Sequence, residues 1–488
     1  MKTHLHPSKL TQSLQLLTAE EFKLFNKWLQ SPWANANKKL VELYVFLQKH
    51  YPGFDAKSLT KEDLFAKLYP GKKYDDKWMR NIMGGLSKQV ENFLVHQRLE
   101  KDELLTKQLL AKEYLERHRN DWFEKQANQL INILEEKDVK ETEDYLTLML
   151  THDELYRQTN VGSSKSSLQI ADLYLDTFYS ITKWRHLTEL RERQMILPEE
   201  GLWFEKLERL SDLTKDLDIP IIDIYRDRIK KGDALQKEDY FQLKEKYFSH
   251  YNRLPNWDRK LLYFYFINMV IRFWMKGDLE IIHELHQLYK TGIENGLLFH
   301  YGKLTVNTYV NIVTTANSVD DFDYSKMFIE KYTCFLPPEK MDDGRAWALG
   351  NWHYKQGQYE KSVEFLSNHH FEDNTFIRSS KFLLIQSYFD ACLVDDSYYL
   401  FFRDYCEAVK KYFRRSKVLS KERNLAYINF VNFSFKVIKL INENNYALNN
   451  FKYLVKEINT ENNMQGKKWL LAKIEYIIDG LPQRQPVR

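Results

Sequence analysis

Apolar side chains recur every three or four residues along most of the chain, which is the spacing of one face of an α-helix. The segment 18–29 is a clear instance, because Phe22, Phe25 and Leu29 fall on one face. A helix with one apolar face needs neighbours to cover that face. The pattern therefore predicts a compact helical module in the first hundred residues.

Two of the predicted helices begin with capping residues. Thr18 is followed three residues later by Glu21, and Thr60 is followed by Asp63, so each pair can satisfy the free amides of a first turn. Pro70-Gly71 is a stop signal for the second of these helices. The sequence thus predicts both ends of the helix that begins after Thr60.

The pattern beyond Pro70-Gly71 remains that of helices. A long helix is predicted from about Asp75 to His118, where Gly84-Gly85 could introduce a kink. Residues 121–158 read as two amphipathic helices separated near 137–140. The segments that follow are a flexible break at 160–167, a long helix at 168–194, a turn at LPEEG (197–201) and further helices up to residue 257.

From residue 258 onward the helical pattern repeats as pairs. The turns inside the first four pairs fall near Gly277, Asp320, Gly357 and Asp395, with steps of 43, 37 and 38 residues. Helical repeat arrays have periods of about 34–47 residues, so the steps predict such an array. The predicted pairs span 258–290, 303–335, 343–369, 376–413 and 422–457, followed by a last helix at 466–478.

The most apolar stretch of the chain is LLYFYFINMVIRFWM, residues 261–275. It contains Asn268 and Arg272 and is shorter than the roughly 18–20 apolar residues that span a bilayer. We therefore predict a helix buried on most of its faces inside a large protein. The N-terminus has no apolar segment typical of a signal peptide, so we expect a cytoplasmic protein.

Composition supports an all-α fold. Glycine and proline number only 16 and 11 in 488 residues, whereas sheet-rich folds need turn residues at short intervals. The length exceeds the roughly 250–300 residues at which single cores stop growing, so the chain must divide into domains or extend as a repeat array. We divide it into an N-terminal helical module at 1–100, a helical middle region at 101–257 and helical repeats at 258–488.

One stretch of the repeats carries a recognisable signature: LGNWHYKQGQYEKSVEFL, residues 349–366. It resembles the first half and more of a tetratricopeptide repeat (TPR). Leu349-Gly350 occupy the Leu-Gly step of that family, Gly357 and Tyr359 match its turn glycine and following tyrosine, and Ser362 stands where a small residue is required. Small side chains at positions 350 and 362 would allow two helices to approach closely.

The same stretch also departs from the family pattern. Trp347 lies one residue after the position of the tryptophan in the family pattern. His353 stands where the family usually has tyrosine, and Asn374 stands where it has its closing proline. The neighbouring pairs match only in helix length and turn placement. The chain as a whole resembles bacterial helical proteins of similar size, and that resemblance implies no activity.

The TPR resemblance implies a right-handed α-solenoid of helix pairs with a concave face that binds a protein or peptide partner. Polar positions on the first helices of the pairs are then candidates for partner contact. The family analogy places four residues on this face: Asn307, Asn311, Asn351 and Lys355. We therefore expect a non-enzymatic interaction scaffold or adaptor.

An alternative is a nucleic-acid-binding regulator. The first 100 residues carry 16 Lys and Arg against 10 Asp and Glu, although the whole chain has a net charge of only +4. Residues 59–94 resemble the helix-turn-helix half of winged DNA-binding domains, in which Lys73, Lys77 and Arg80 would reach the DNA. The wing is missing, because the sequence stays helical after residue 94, so a helical cap on the repeat array is the competing interpretation.

A second basic segment, KKYFRRSK at 410–417, interleaves cations with aromatic residues. Its cations could contact phosphates while Tyr412 stacks on a base. Cations at the end of a helix also favour its dipole, and the aromatic residues suit a repeat core, which is the interpretation we prefer. The cations in this segment that could contact nucleic acid are Lys410, Lys411, Arg414 and Arg415.

Catalytic and metal motifs are weak. His283 and His286 are three residues apart, whereas a zincin helix needs four, and no third ligand is evident. The acidic pairs at 320–321, 342–343 and 395–396 fall at helix starts, where carboxylates cap amides. We therefore predict no catalytic residue, no cofactor and no metal site.

Cysteine usage fits a reducing compartment. Cys334, Cys392 and Cys406 are odd in number and widely spaced, which argues against a disulfide framework. We expect all three to be small buried hydrophobic residues.

Overall fold

The fold is all-α, as the sequence predicts. In the computed structural model, the described part of the chain comprises residues 4–54, 59–158, 165–194, 219–231, 235–443 and 447–484, with the single positions 210, 214 and 217. These residues form 22 α-helices and contain no β-strand. The predicted break at 160–167 and the turn at 197–201 lie largely or wholly outside the described residues.

The chain divides into two compact units, Met1–Thr182 and Lys183–Arg488. The boundary falls inside a single helix, Lys165–Gln194. This division is coarser than the three segments drawn from the sequence, whose limits at residues 100 and 257 remain predictions.

The first unit contains eight complete helices and the beginning of the ninth. The capping boxes at Thr18 and Thr60 are confirmed as N-caps, because each threonine hydroxyl accepts a hydrogen bond from the amide three residues later. The helices are α1 (Lys9–Gln15), α2 (Ala19–Gln30), α3 (Lys38–Gln48), α4 (Lys61–Leu68), α5 (Asp76–Lys101), α6 (Glu103–Glu116), α7 (Asn120–Glu135), α8 (Thr142–Gln158) and α9 (Lys165–Gln194).

The core of helices α1–α5 is built from leucine and aromatic side chains. Phe25 and Tyr44 are completely buried and meet edge to face, with ring centroids 5.5 Å apart. The hydroxyl of Tyr44 donates a hydrogen bond of 2.6 Å to the carbonyl of Phe22, so its polar atom is satisfied inside the core. Met79 and Leu86 close this core from helix α5.

The predicted helix from Asp75 to His118 is wrong in one respect: it is broken at Asp102. The carboxylate of Asp102 accepts a hydrogen bond of 3.0 Å from the amide of Leu105 and so begins a new helix. Helix α6 buries only Ala111, so little apolar contact favours continuing the axis of α5. The predicted division of 121–158 into two helices is confirmed by α7 and α8.

Within the described residues, the second unit adds thirteen helices. The helices are α10 (Pro220–Lys231), α11 (Lys237–Ser249), α12 (Asn256–Met275), α13 (Ile282–Glu294), α14 (Val306–Ser318), α15 (Phe322–Tyr332), α16 (Met341–Lys355), α17 (Tyr359–Ser367), α18 (Asn374–Val394), α19 (Tyr399–Arg415), α20 (Lys421–Asn442), α21 (Leu448–Thr460) and α22 (Lys467–Arg484).

The predicted turns between paired helices are where the sequence places them. Gly277, Asp320 and Gly357 all have positive φ, at 111°, 59° and 74°, in the region that glycine enters without steric cost. Consecutive helices from α12 to α22 contact one another. In addition, α14 contacts α16, α16 contacts α18, α18 contacts α20 and α20 contacts α22.

Small residues allow the closest helix contacts, as their positions predict. A Cβ atom added to Gly350 would lie 2.6 Å from the side chain of Leu366, so α16 and α17 can pack this closely only with glycine there. Ser362 is completely buried, and its hydroxyl lies 2.9 Å from that of Ser387 on α18. Trp347, Tyr354 and Leu366 are buried.

The apolar stretch at 261–275 forms most of α12, and it is largely buried. The start of the same helix holds a buried charge, because Asp258 is fully inaccessible to solvent. Arg185 of α9 donates two hydrogen bonds of 2.8 Å to the Asp258 carboxylate, and Tyr225 of α10 donates another. Among the described residues, no helix has the length and apolar character needed to cross a bilayer.

Candidate functional site

The second unit contains a cavity of about 570 Å³. Apart from Tyr359 at the start of α17 and Gln465 in a loop, its walls come from α14, α16, α18, α20 and α22, which are the first helices of successive predicted pairs together with the last helix. The cavity is lined by Thr314, Trp347, Asn351, Tyr354, Lys355, Tyr359, Ser379, Phe382, Leu383, Gln386, Asp390, Tyr427, Gln465, Trp469 and Lys473.

Two of the four predicted partner-binding residues, Asn351 and Lys355, line this cavity. Asn307 and Asn311 lie outside it, on the exposed face of α14. Asn307, Asn311 and Thr314 are separated by four and three residues, so they lie on one side of that helix. Because Thr314 lines the cavity, the exposed row leads to its edge.

A hydrogen-bonded group fixes the side of the cavity next to α22. The Tyr354 hydroxyl donates to Asp390 Oδ2 at 2.8 Å and accepts from the indole N–H of Trp469 at 3.0 Å. Lys473 Nζ lies 2.7 Å from Asp390 Oδ1. The four side chains therefore join α16, α18 and α22 around one buried carboxylate.

Burial dominates the electrostatics of this group. Asp390 is 2% exposed, and burial raises the pKa of its carboxyl, an effect that Lys473 and the Tyr354 hydroxyl oppose. Burial, together with the negative charge of Asp390, raises the pKa of Tyr354 well above its ordinary value. We therefore assign an ion pair between Asp390 and Lys473 and a neutral Tyr354 at neutral pH.

Lys355 differs from Lys473, because it forms no ion pair with a described residue. Its side chain keeps contact with solvent through the open cavity. The protein atoms around it nevertheless lower the pKa of its ammonium group, and the positive charge of Lys473 adds to this effect. Asp320 opposes the shift through its negative charge.

Two residues with side-chain amides line the cavity, and only one of them has a hydrogen-bond partner among the described residues. Asn351 is buried, and its Oδ1 accepts a hydrogen bond of 2.8 Å from Asn317 Nδ2, so part of its role is to join α14 to α16. Gln386 is also buried, yet it makes no hydrogen bond with a described residue. The buried indole N–H of Trp347 has no acceptor within the described ranges.

The sequence predicts no partner-binding residue in α22, yet this helix lines the cavity. Trp469 and Lys473 of α22 cover part of the face formed by the first helices, so this face is a cavity rather than an open groove at that point. One signal was present in the sequence: Asp390 lies in the apolar run FLLIQSYFDACL of α18, where a charge needs a partner. The sequence does not identify that partner, because Lys473 is distant along the chain.

The candidate nucleic-acid residues of the first unit are exposed. Lys73 precedes α5, and Lys77 and Arg80 lie in its first turns. Arg80 forms an ion pair of 2.8 Å with Asp76 on the same helix. Helix α5 continues past residue 94 to Lys101, as the sequence predicts, so no β-hairpin wing follows α4 and α5 there.

The basic segment at 410–417 is partly engaged in packing. The side chain of Lys410 is only 12% exposed and pairs with Glu407, whereas Lys411, Arg414 and Arg415 are exposed. Tyr412 is half-buried beneath Lys381, whose Nζ lies 4.7 Å from the ring centroid. Phe413 therefore belongs to a hydrophobic core of the second unit and Tyr412 packs against it, which fits the packing interpretation.

His286, His369 and one member of each acidic pair have hydrogen-bond partners. His286 lies 2.9 Å from Asp321, which also caps the amide of Tyr324, and His369 lies 2.7 Å from Asp343. The described residues contain no group of three or more His, Cys, Asp or Glu able to hold a metal ion. Capping is confirmed for Asp321 and for Asp395, which accepts from the amide of Ser397.

The expectation for the cysteines is correct for two of them. Cys392 and Cys406 are buried, and burial raises the pKa of both thiols, that of Cys392 to about 12. Cys334 is exposed, contrary to the prediction, because it lies in a short 3₁₀ turn after α15 rather than on a core-facing helix.

Comparison of the chain with protein-family models, with curated proteins and with solved structures finds no match, so the inference of function rests on the residues of the second unit and their geometry.

Proposed function

We propose that this chain is a non-enzymatic interaction protein that binds a partner chain on the inner face of a right-handed, TPR-like stack of helix pairs. The proposal rests on one observation: most of the residues that line the cavity lie on the first helices of the predicted pairs. Side chains from α14, α16, α18, α20 and α22 line one cavity, and in a helical-repeat array the first helices form the concave binding surface.

The helix contacts support the stacked arrangement. Each first helix from α14 to α20 contacts its own second helix and the next first helix. This is the nearest-neighbour pattern of repeat proteins, in which each unit buries its apolar face against the next. The close approach at Gly350 and Leu366 supports the proposal, because a TPR-like pair needs a small residue where its two helices meet.

The proposed partner surface has a rim and a cavity. Asn307 and Asn311 are exposed on α14 and form the rim, while Asn351 and Lys355 lie in the cavity. Side-chain amides donate and accept hydrogen bonds, so the rim suits the backbone of an extended partner segment. The cavity then takes one projecting group of that partner.

The proposal also places the protein in the cytoplasm. The three cysteines are free, and two of them are buried with raised thiol pKa values. Such thiols are typical of a reducing compartment, where they behave as small apolar residues.

Affinity capture from the cells that produce the chain tests this proposal. The full chain is compared with Asn307→Glu, Asn311→Glu and Lys355→Glu, each of which changes the charge of the proposed surface. Lys361→Glu is the matched control, because Lys361 is exposed on α17 outside the cavity lining.

Each variant is first checked for wild-type helicity and melting temperature. We expect one partner whose recovery falls at least about tenfold in the three surface variants, the effect of one or two lost contacts in an interface centre, and stays unchanged in Lys361→Glu. Equal recovery by all four variants would reject this surface.

A further inference from the structure

We propose that the cavity of the second unit is also a binding site for a small organic monoanion with an aromatic or otherwise apolar body. This goes beyond partner binding, because it needs no partner chain. The cavity volume of about 570 Å³ lies in the range of small-molecule sites, about 300–1,000 Å³.

The charge of the cavity selects an anion. The carboxylate of Asp390 is balanced by Lys473 at 2.7 Å, so this pair contributes little net charge. Lys355 adds an ammonium group that no described residue pairs with. One positive charge therefore remains without a close counter-ion, which favours a ligand with one negative charge.

The walls favour an apolar body on that anion. Trp347, Phe382 and Tyr427 line the cavity together with Leu383, and Trp469 of α22 adds a further aromatic side chain. Aromatic walls with a few convergent polar groups are typical of ligand pockets and favour planar ligands. A bare inorganic ion would leave these surfaces in contact with water.

Gln386 provides a means of orienting the ligand. Most of its side chain is buried, while its amide keeps contact with the solvent in the cavity and makes no hydrogen bond with a described residue, so the amide is free to contact a ligand. An anionic oxygen near Lys355 could accept from the NH₂ group of this amide. The ligand would thereby contact the charge of Lys355 and the amide donor of Gln386 together.

Four lining side chains are already held in place by contacts with one another. Asp390, Tyr354, Trp469 and Lys473 satisfy one another through three contacts of 2.7–3.0 Å. A wall fixed by such contacts loses little conformational freedom when a ligand binds. The same contacts leave Asp390 unavailable to a cationic ligand, which is why we assign an anion.

Isothermal titration calorimetry on the full chain tests the site with 2-naphthoate and its neutral isostere 2-naphthamide. We expect 2-naphthoate to bind about tenfold more tightly, the effect of one charge-assisted hydrogen bond. Separate titrations with phenyl phosphate and 1-naphthalenesulfonate show whether the site prefers a carboxylate, a phosphate or a sulfonate.

The variant Lys355→Gln should lose the preference for the acid over the amide, while Lys355→Arg should keep part of it. Lys361→Gln is the control that removes an exposed lysine outside the cavity. Unchanged helicity and melting temperature exclude misfolding as the cause.

The proposal is overturned if none of the three anions binds at millimolar concentration, if acid and amide bind equally, or if the preference persists in Lys355→Gln. These results do not depend on capture of a partner chain, so the two proposals can fail separately.

Discussion

Single residues decide how closely the helices of the second unit approach. Gly350 leaves no space for a side chain against Leu366, and Ser362 is buried against Ser387 where a larger residue would separate α17 from α18. Packed cores resist added atoms because neighbouring side chains must leave their preferred rotamers. These positions are therefore fixed by volume rather than by chemistry.

Substitution of Gly350 by alanine should destabilise the protein by about 1–3 kcal/mol, because the new methyl group would lie 2.6 Å from Leu366. Gly480→Ala is the matched control in helix α22, where no atom lies within 4 Å of the added Cβ. That variant should be neutral or stabilising by up to about 1 kcal/mol. Urea unfolding followed by circular dichroism measures both, and equal stabilities would show that α16 and α17 are not tightly packed.

Anion binding should weaken as pH rises, and the loss should begin below the ordinary lysine pKa of 10.5, because desolvation by the protein atoms around it lowers the pKa of Lys355, although its side chain is exposed. The ammonium form attracts the anion, so binding is strongest at pH values below the folded pKa and falls as pH passes through it. Calorimetry with 2-naphthoate from neutral to alkaline pH measures the curve. In Lys355→Gln the affinity should be low and nearly independent of pH; an unchanged curve in this variant would assign the titration to another group.

At the scale of elements, helix α22 matters most for the site. Trp469 and Lys473 connect it to Tyr354 of α16 and Asp390 of α18, and Leu470, Ile474 and Ile477 bury its apolar face. The packing of α22 on α16 and α18 therefore depends on the contacts of Trp469 and Lys473 with the Tyr354–Asp390 pair.

Removal of the Tyr354 hydroxyl should loosen α22 selectively. In Tyr354→Phe the indole N–H of Trp469 loses its acceptor and the Asp390 carboxylate loses a donor, which should cost about 1–3 kcal/mol. Hydrogen exchange should accelerate in 467–484 more than in α18. Tyr476→Phe on the same helix is the control, because Tyr476 is 69% exposed. Equal exchange in the two variants would contradict this role for the hydroxyl.

The elements themselves could largely be predicted from the sequence, because helix periodicity and capping are local. The turns at Gly277 and Gly357 and the starts after Thr18 and Thr60 are instances. The break at Asp102 was missed, since apolar and polar positions alternate similarly on both sides of it. Of the site, Asn351 and Lys355 were selected through the family analogy, whereas Trp469 and Lys473 were not. The contact of Trp469 with Tyr354 joins residues 115 positions apart, and periodicity carries no information at that distance.

At the scale of the whole molecule, the binding surface belongs to one of two compact units. All lining residues of the cavity lie in Lys183–Arg488. Helix α9 crosses the boundary, and its second half contributes Trp184 and Arg185 to the second unit through hydrogen bonds with Thr214 and Asp258. A fragment that cuts this helix would therefore expose buried residues.

A fragment of residues 165–488, which keeps α9 whole, should fold and keep the anion preference of the full chain. Circular dichroism should give a cooperative melting transition, and calorimetry should give the same ratio of affinities for 2-naphthoate and 2-naphthamide. A fragment of residues 195–488 lacks Trp184, Arg185 and Glu192 and should melt at a lower temperature. Loss of folding in the longer fragment would show that the second unit depends on the first.

The central claim is that a partner chain lies on the face formed by the first helices, and site-specific photo-cross-linking tests it most directly. A benzophenone amino acid is placed at Asn311, on the exposed rim of α14, and at Lys361 on α17 as the control. In the cells that produce the chain, we predict one discrete cross-linked partner from position 311 and none from position 361, with the 311 product lost in the additional variant Lys355→Glu. The same products from both positions, or a 311 product that persists in Lys355→Glu, would contradict the proposed function.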